Sequence, residues 1–153
     1  MKSTIAFMFF MLFLAGIAFV NLRGMNDTED ALVTTVSQLA DVAWRPTHLG
    51  EMTIDEESEM RIQFEVTGQF GGHGGCNRFF GSYELTDGAL VIGPIGATRM
   101  ACPEPSMSME MSYFEALNGT KSAHRIGNRL AVKNDSGENL VRFVATDRDQ
   151  PDQ

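Results

Sequence analysis

Apolar and polar residues alternate along much of this chain, and where they do the period is two. Met60, Ile62, Phe64 and Val66 interleave with Arg61, Gln63 and Glu65, the pattern of a half-buried strand. Thr67-Gly68 ends that strand, and Gln69-Phe70-Gly71 starts another. Residues 82–85 and 89–92 flank Thr86-Asp87-Gly88, which reads as a hairpin whose glycine supplies a positive φ. Residues 95–100 add one short strand. Two more follow at 123–132, broken near Gly127-Asn128, and at 139–146, with Asp135-Ser136-Gly137 turning between them. Trp44, Thr47 and Leu49 suit a first strand, which Pro46 confines to an edge or a bulge.

Helical spacing occurs twice after residue 23. Leu32, Val33, Val36, Leu39 and Ala43 recur at helical intervals in a linker-like stretch over 24–40, with Asp27 or Thr28 as a cap. Residues 103–118 form the better helix. Pro105 is tolerated in its first turn, Glu104 suits the positive end of its dipole, and Asn118-Gly119 stops it. Spacing places Met107, Met111, Phe114 and Leu117 on its buried face and Met109 on the surface. Short adjacent strands with tight turns pair antiparallel, since parallel pairing needs long crossovers. The fold class is therefore α+β: a curled antiparallel sheet, partly closed and barrel-like, with one helix over an open side.

The N-terminus breaks this pattern. Between Lys2 and Arg23 lie 20 uncharged residues, enough for a helix to span a bilayer's hydrocarbon core. A positive start followed by an apolar run also describes a secretory signal peptide, with Gly16-Ile17-Ala18 as a weak cleavage site. Length favours the uncleaved anchor. Ile17 stands where a lipoprotein signal needs cysteine. The positive-inside bias puts the rest of the chain outside the cytoplasm, membrane-anchored or, after cleavage, secreted or periplasmic. The organisation expected is a signal or anchor at 1–22, a linker at 23–37, one domain at 38–146 and a charged tail at 147–153.

Composition narrows the function. The 153 residues hold one ordinary domain, and the net charge of −8 argues against nucleic acid, which needs clustered Lys and Arg. More than half of the fifteen glycines, and both cysteines, fall between Gly71 and Pro103. In an oxidising compartment Cys76 and Cys102 are expected to pair, closing a loop worth roughly 3.5 kcal/mol; two free buried cysteines are the alternative. Gly71, Gly72, Gly74 and Gly75 bracket His73 without the Lys-Ser or Lys-Thr of a phosphate loop, so a bulge or sharp corner is expected, with Asn77 bonding turn amides. His48, His73 and His124 are scattered and show no metal-ligand spacing. Arg99 and Arg78 call for a carboxylate partner or a ligand, or else face outward from a strand. No catalytic set is visible, although a cleft could still bring His73, Arg99 and Glu110 together.

Several ordered motifs resemble the META domain, the module of HslJ-like heat-inducible bacterial envelope proteins. They are Trp44; Gly74-Gly75-Cys76-Asn77-Arg78-Phe79 with Gly81 and Tyr83; Ile92-Gly93-Pro94-Ile95; Ala97-Thr98-Arg99-Met100-Ala101-Cys102-Pro103; Met107, Glu110 and 114–117; and Leu140-Val141-Arg142-Phe143. The resemblance covers about residues 38–146. It implies a compact α+β domain, a link to stress response and antibiotic tolerance, and no settled enzymatic activity or cofactor. The expected function is a non-enzymatic envelope protein that binds another envelope component, with Phe79, Phe80 and Tyr83 as exposed contacts and Arg78 as a further binding candidate. The alternative is a periplasmic carrier of a small molecule or of Cu(I), using the thioethers of Met107, Met109 and Met111.

Overall fold

Two-residue turns set the sheet's connectivity. A computed structural model describes residues 31–146. In it Asp87 (φ 51°) and Gly88 (φ 85°) make a turn with both central residues left-handed, which matches strand twist. That turn joins β6 (Arg78–Thr86) to β7 (Ala89–Ile92). The other strands are β1 (Ala31–Leu32), β2 (Ala43–Leu49), β3 (Met52–Thr53), β4 (Arg61–Phe64), β5 (Gln69–His73), β8 (Gly96–Ala97), β9 (Ser122–Ile126), β10 (Arg129–Lys133) and β11 (Asn139–Thr146). One helix, α1 (Ser106–Asn118), separates β8 from β9.

All strand pairs are antiparallel, in the order β1-β9-β10-β11-β2-β4-β5-β6-β7. The ladder returns on itself where Ala89 of β7 pairs with Ser122 of β9, and Leu90 N–H donates to the Lys121 carbonyl at 2.9 Å. The sheet is thus a partly closed barrel. Its interior holds Trp44, Ile62, Phe64, Phe70, Phe79, Tyr83, Leu130, Val141 and Phe143, the inward half of each alternating strand. Phe64 meets Tyr83 edge-on at 5.1 Å, and Phe79 meets Tyr113 of α1 at 5.9 Å. The Trp44 indole donates to the Leu39 carbonyl at 2.9 Å while Arg125 lies over its ring at 5.1 Å. Pro46 sits where β2 and β11 lose register, so the bulge reading holds.

Two expectations fail here. The helical spacing over 24–40 yields a strand at 31–32 and a single 3-10 turn, Val36–Gln38. Val33 and Leu39 are fully buried, so part of the stretch read as linker contributes to the core. Helix α1 is turned from the expected face: Leu117 is buried and Phe114 packs on the core as expected, but Glu110 and Tyr113 are the other inward residues, Met109 also packs on the core, and Met111 is 68% exposed. Apolar residues ring this helix, so hydropathy fits two stripes, and the stripe carrying a carboxylate is the buried one. No helix among the described residues is long and apolar enough to cross a membrane. The proposed anchor or signal at 1–22, the linker up to residue 30 and the tail at 147–153 lie outside the described residues.

Candidate functional site

The residues singled out between Gly74 and Cys102 converge on one buried carboxylate. Glu110, 6% exposed, rises from α1 beneath the loop that joins β5 to β6. Its Oε2 accepts the backbone N–H of Cys76 at 3.1 Å and of Asn77 at 2.6 Å, and its Oε1 accepts Asn77 Nδ2 at 2.7 Å. The Asn77 Oδ1 accepts the Thr98 hydroxyl at 2.8 Å and the Met100 N–H at 2.7 Å. Cys76 is bonded to Cys102, with Cα atoms 5.9 Å apart. Three segments are therefore fastened together: the 74–77 loop, the 98–102 stretch and α1. A buried carboxylate is tolerable because its oxygens receive donors on both sides.

Glycine makes this possible by what it lacks. A Cβ on Gly74 would lie 2.6 Å from Glu110 Oε2 and 2.8 Å from its Cγ. Gly75 turns the loop with φ 104° and donates to His73 Nδ1 at 3.2 Å. Glycine here is a close approach of side chain to backbone, a variant of the corner expected from composition.

The aromatic candidates divide by strand alternation. Phe79 and Tyr83 point into the barrel and are buried, so neither is a surface contact. Tyr83 donates to the Glu65 carbonyl at 2.7 Å; burial, with the nearby Glu65 charge, pushes its phenol up. Phe80 faces out and is 65% exposed. Its cross-strand neighbours are Gly71 on β5 and Gly96 on β8, and its ring covers Gly96. Gly81 sits opposite Phe70 with the Pro94 carbonyl close by. Arg78, Pro94, Thr98, Arg99 and Met100 are on the surface, and Arg99 takes the outward-facing alternative.

The catalytic convergence of His73, Arg99 and Glu110 does not form. Glu110 is enclosed by its three donors, His73 Nδ1 lies 4.0 Å from Glu59, and Arg99 faces solvent. The three thioethers of α1 do not gather: Met107 and Met111 lie one turn apart, half-buried and exposed, while Met109 leaves the helix on the other side and packs on the core. Among the described residues no three His, Cys, Asp or Glu side chains gather as metal ligands would.

Comparison with known proteins finds relatives of the domain as a whole. Residues 37–147 match the model of the META domain. A solved NMR structure of a protein from Burkholderia xenovorans is similar over 84% of this chain and 98% of its own, at 25% identity and a TM-score of 0.62. A second NMR structure is similar over 73% of this chain and 95% of its own, at 20% identity and a TM-score of 0.60, a likeness of fold alone. No curated protein matches the sequence.

Proposed function

This chain belongs to the META domain family, and from that premise we propose that it is a non-catalytic binding module of the bacterial envelope. The module lies outside the cytosol, held at the membrane by the apolar run at 3–22 or released after its cleavage, and it contributes to stress or antibiotic tolerance by engaging another envelope component. The observation that carries this reading is Phe80. A large aromatic side chain stands 65% exposed on β6, the strand that follows the disulfide-fastened loop. Rigid exposed aromatics bury much area on contact at little entropic cost, which is why they anchor interfaces. The nearby polar groups are committed to each other, so the scaffold offers shape rather than reactivity.

The test compares Phe80→Ala with Val66→Ala, a second exposed apolar residue. Envelope cross-linking to a defined partner and survival of heat or antibiotic challenge are measured in both. Loss of both readouts at Phe80 alone, with thermal stability retained, supports the proposal. Unchanged cross-linking and survival overturn it. The divergent thioethers of α1 weigh against the Cu(I) carrier.

A further inference from the structure

The sheet's outer surface carries a second feature, separate from the Phe80 face. Strands β2, β11, β10 and β9 lie side by side, and their outward residues form two rows. One row reads His48, Arg142, Ala131, His124; the next reads Arg45, Val144, Arg129, Ile126. Val144 therefore sits between two arginines across the sheet, with a third, Arg142, two residues away on the same face. These side chains border a groove of about 560 Å³, with Lys133 and Thr47 also at its wall.

The charge of this groove opposes that of the chain. Four of the twelve Lys and Arg residues line it, against one of the twenty Asp and Glu residues, Glu56. A protein of net charge −8 thus has a third of its cations around one groove that holds a single acidic side chain. Two guanidinium nitrogens there, Arg45 Nη1 and Arg142 Nε, are buried without a hydrogen-bonding partner in the protein. Burying such donors unpaired costs free energy, which a small side-chain turn toward an acceptor in the groove would recover. Arg142 is held at the wall by its Nη2, which donates to the Gly50 carbonyl at 3.4 Å. The floor between them is apolar, from Ala131, Val144 and Ile126.

We infer that this groove binds a small organic oxyanion, a carboxylate or phosphate carried on a compact apolar body. Arginine presents paired N–H donors that match the two oxygens of such a head group. The volume suits a small molecule, about 300–1,000 Å³ for typical sites. The groove spans four strands, about 14 Å between the outer two, which is too short for an extended polymer. Strands β10 and β11 are hydrogen-bonded on both sides, so no sheet edge is offered there to a peptide strand.

The experiment uses the full chain in a non-ionic detergent, titrated with phenyl phosphate, benzoate, inorganic phosphate and benzylammonium, and followed by calorimetry. Saturable binding of phenyl phosphate or benzoate is expected, and the tighter of the two identifies the head group. Inorganic phosphate should bind at least tenfold more weakly, and benzylammonium not at all. Arg142→Gln should weaken binding at least tenfold. Arg129→Gln, at an exposed position where folding is not at stake, should do the same, and Arg99→Gln should leave it unchanged. The inference is overturned if neither organic anion saturates, if benzylammonium binds equally, or if binding survives Arg129→Gln and Arg142→Gln together. Binding that appears only after deletion of residues 147–153 would make the chain's own acidic end the occupant and would overturn it too. So would a dimer that Arg129→Gln dissociates.

Discussion

Adding one methyl group at Gly74 tests the carboxylate clamp most sharply. An alanine Cβ there would lie 2.6 Å from Glu110 Oε2, where ordinary contacts begin at 3.4 Å, so Glu110 must retreat by about 0.8 Å. Retreat stretches acceptor bonds now at 2.6, 2.7 and 3.1 Å. Overpacking costs about 1–3 kcal/mol, and each weakened charge-assisted bond costs up to about 1–3 kcal/mol. A loss of about 3 kcal/mol is expected for Gly74→Ala. The unfolded chain works the other way, since Gly→Ala normally stabilises by about 0.4–1 kcal/mol through reduced entropy, so the loss must arise in the native state. Glu110→Ala strands three buried donors but no longer buries a charge, for a net loss of about 3 kcal/mol. In the double variant the new methyl enters space the carboxylate has left. Its further cost should fall below about 1 kcal/mol, giving a coupling of about 2 kcal/mol. Urea denaturation of the four proteins reads this directly. Losses that simply add, within about 0.5 kcal/mol, would refute the contact as described.

Other outcomes follow from the same geometry. Cys76→Ser with Cys102→Ser should lower stability by about 3.5 kcal/mol on the loop-entropy argument, a fall of roughly 14 °C in Tm by calorimetry; a shift under a few degrees would contradict it. Phe79→Ala should cost about 3–5 kcal/mol because its ring is enclosed, whereas Phe80→Ala should cost under about 1 kcal/mol; equal losses in chemical denaturation would reverse the assignment of faces. The Tyr113 phenol is fully buried and its hydroxyl finds no protein partner, so burial holds its pKa well above the ordinary value of 10.0. The folded state keeps that proton longer than the unfolded state. Its contribution is complete below pH 10.0 and is lost as pH rises beyond it. Tyr113→Phe should therefore be neutral or stabilising near pH 7 and flatten the alkaline decline in urea midpoints; an unchanged decline would count against this burial.

Strand content was legible because half-buried strands write their geometry into alternation. β11 matches the range read from the chain, 139–146, and the turn at Asp87-Gly88 is where glycine and aspartate place it. The barrel-like closure followed from counting short strands against one helix. The errors share a physical cause. Leu32, Val33, Val36 and Leu39 carry helical spacing, yet pairing with β9 and burial of Val33 outweigh that local preference. On α1 the hydropathic stripe misleads because the inward position is Glu110, whose burial depends on donors 33 and 34 residues away. Nothing local announces such a partner. The arginine groove is equally non-local: Arg45, Arg129 and Arg142 are unremarkable on their own strands and meet only through register.

The Cys76–Cys102 bond fastens residues 74–102, and the location outside the cytosol proposed above requires that bond to be closed in cells. Intact-mass measurement after alkylation of protein taken directly from cells tests it. The account predicts no alkyl adduct without reductant and two adducts after reduction. Two adducts without reductant would contradict it.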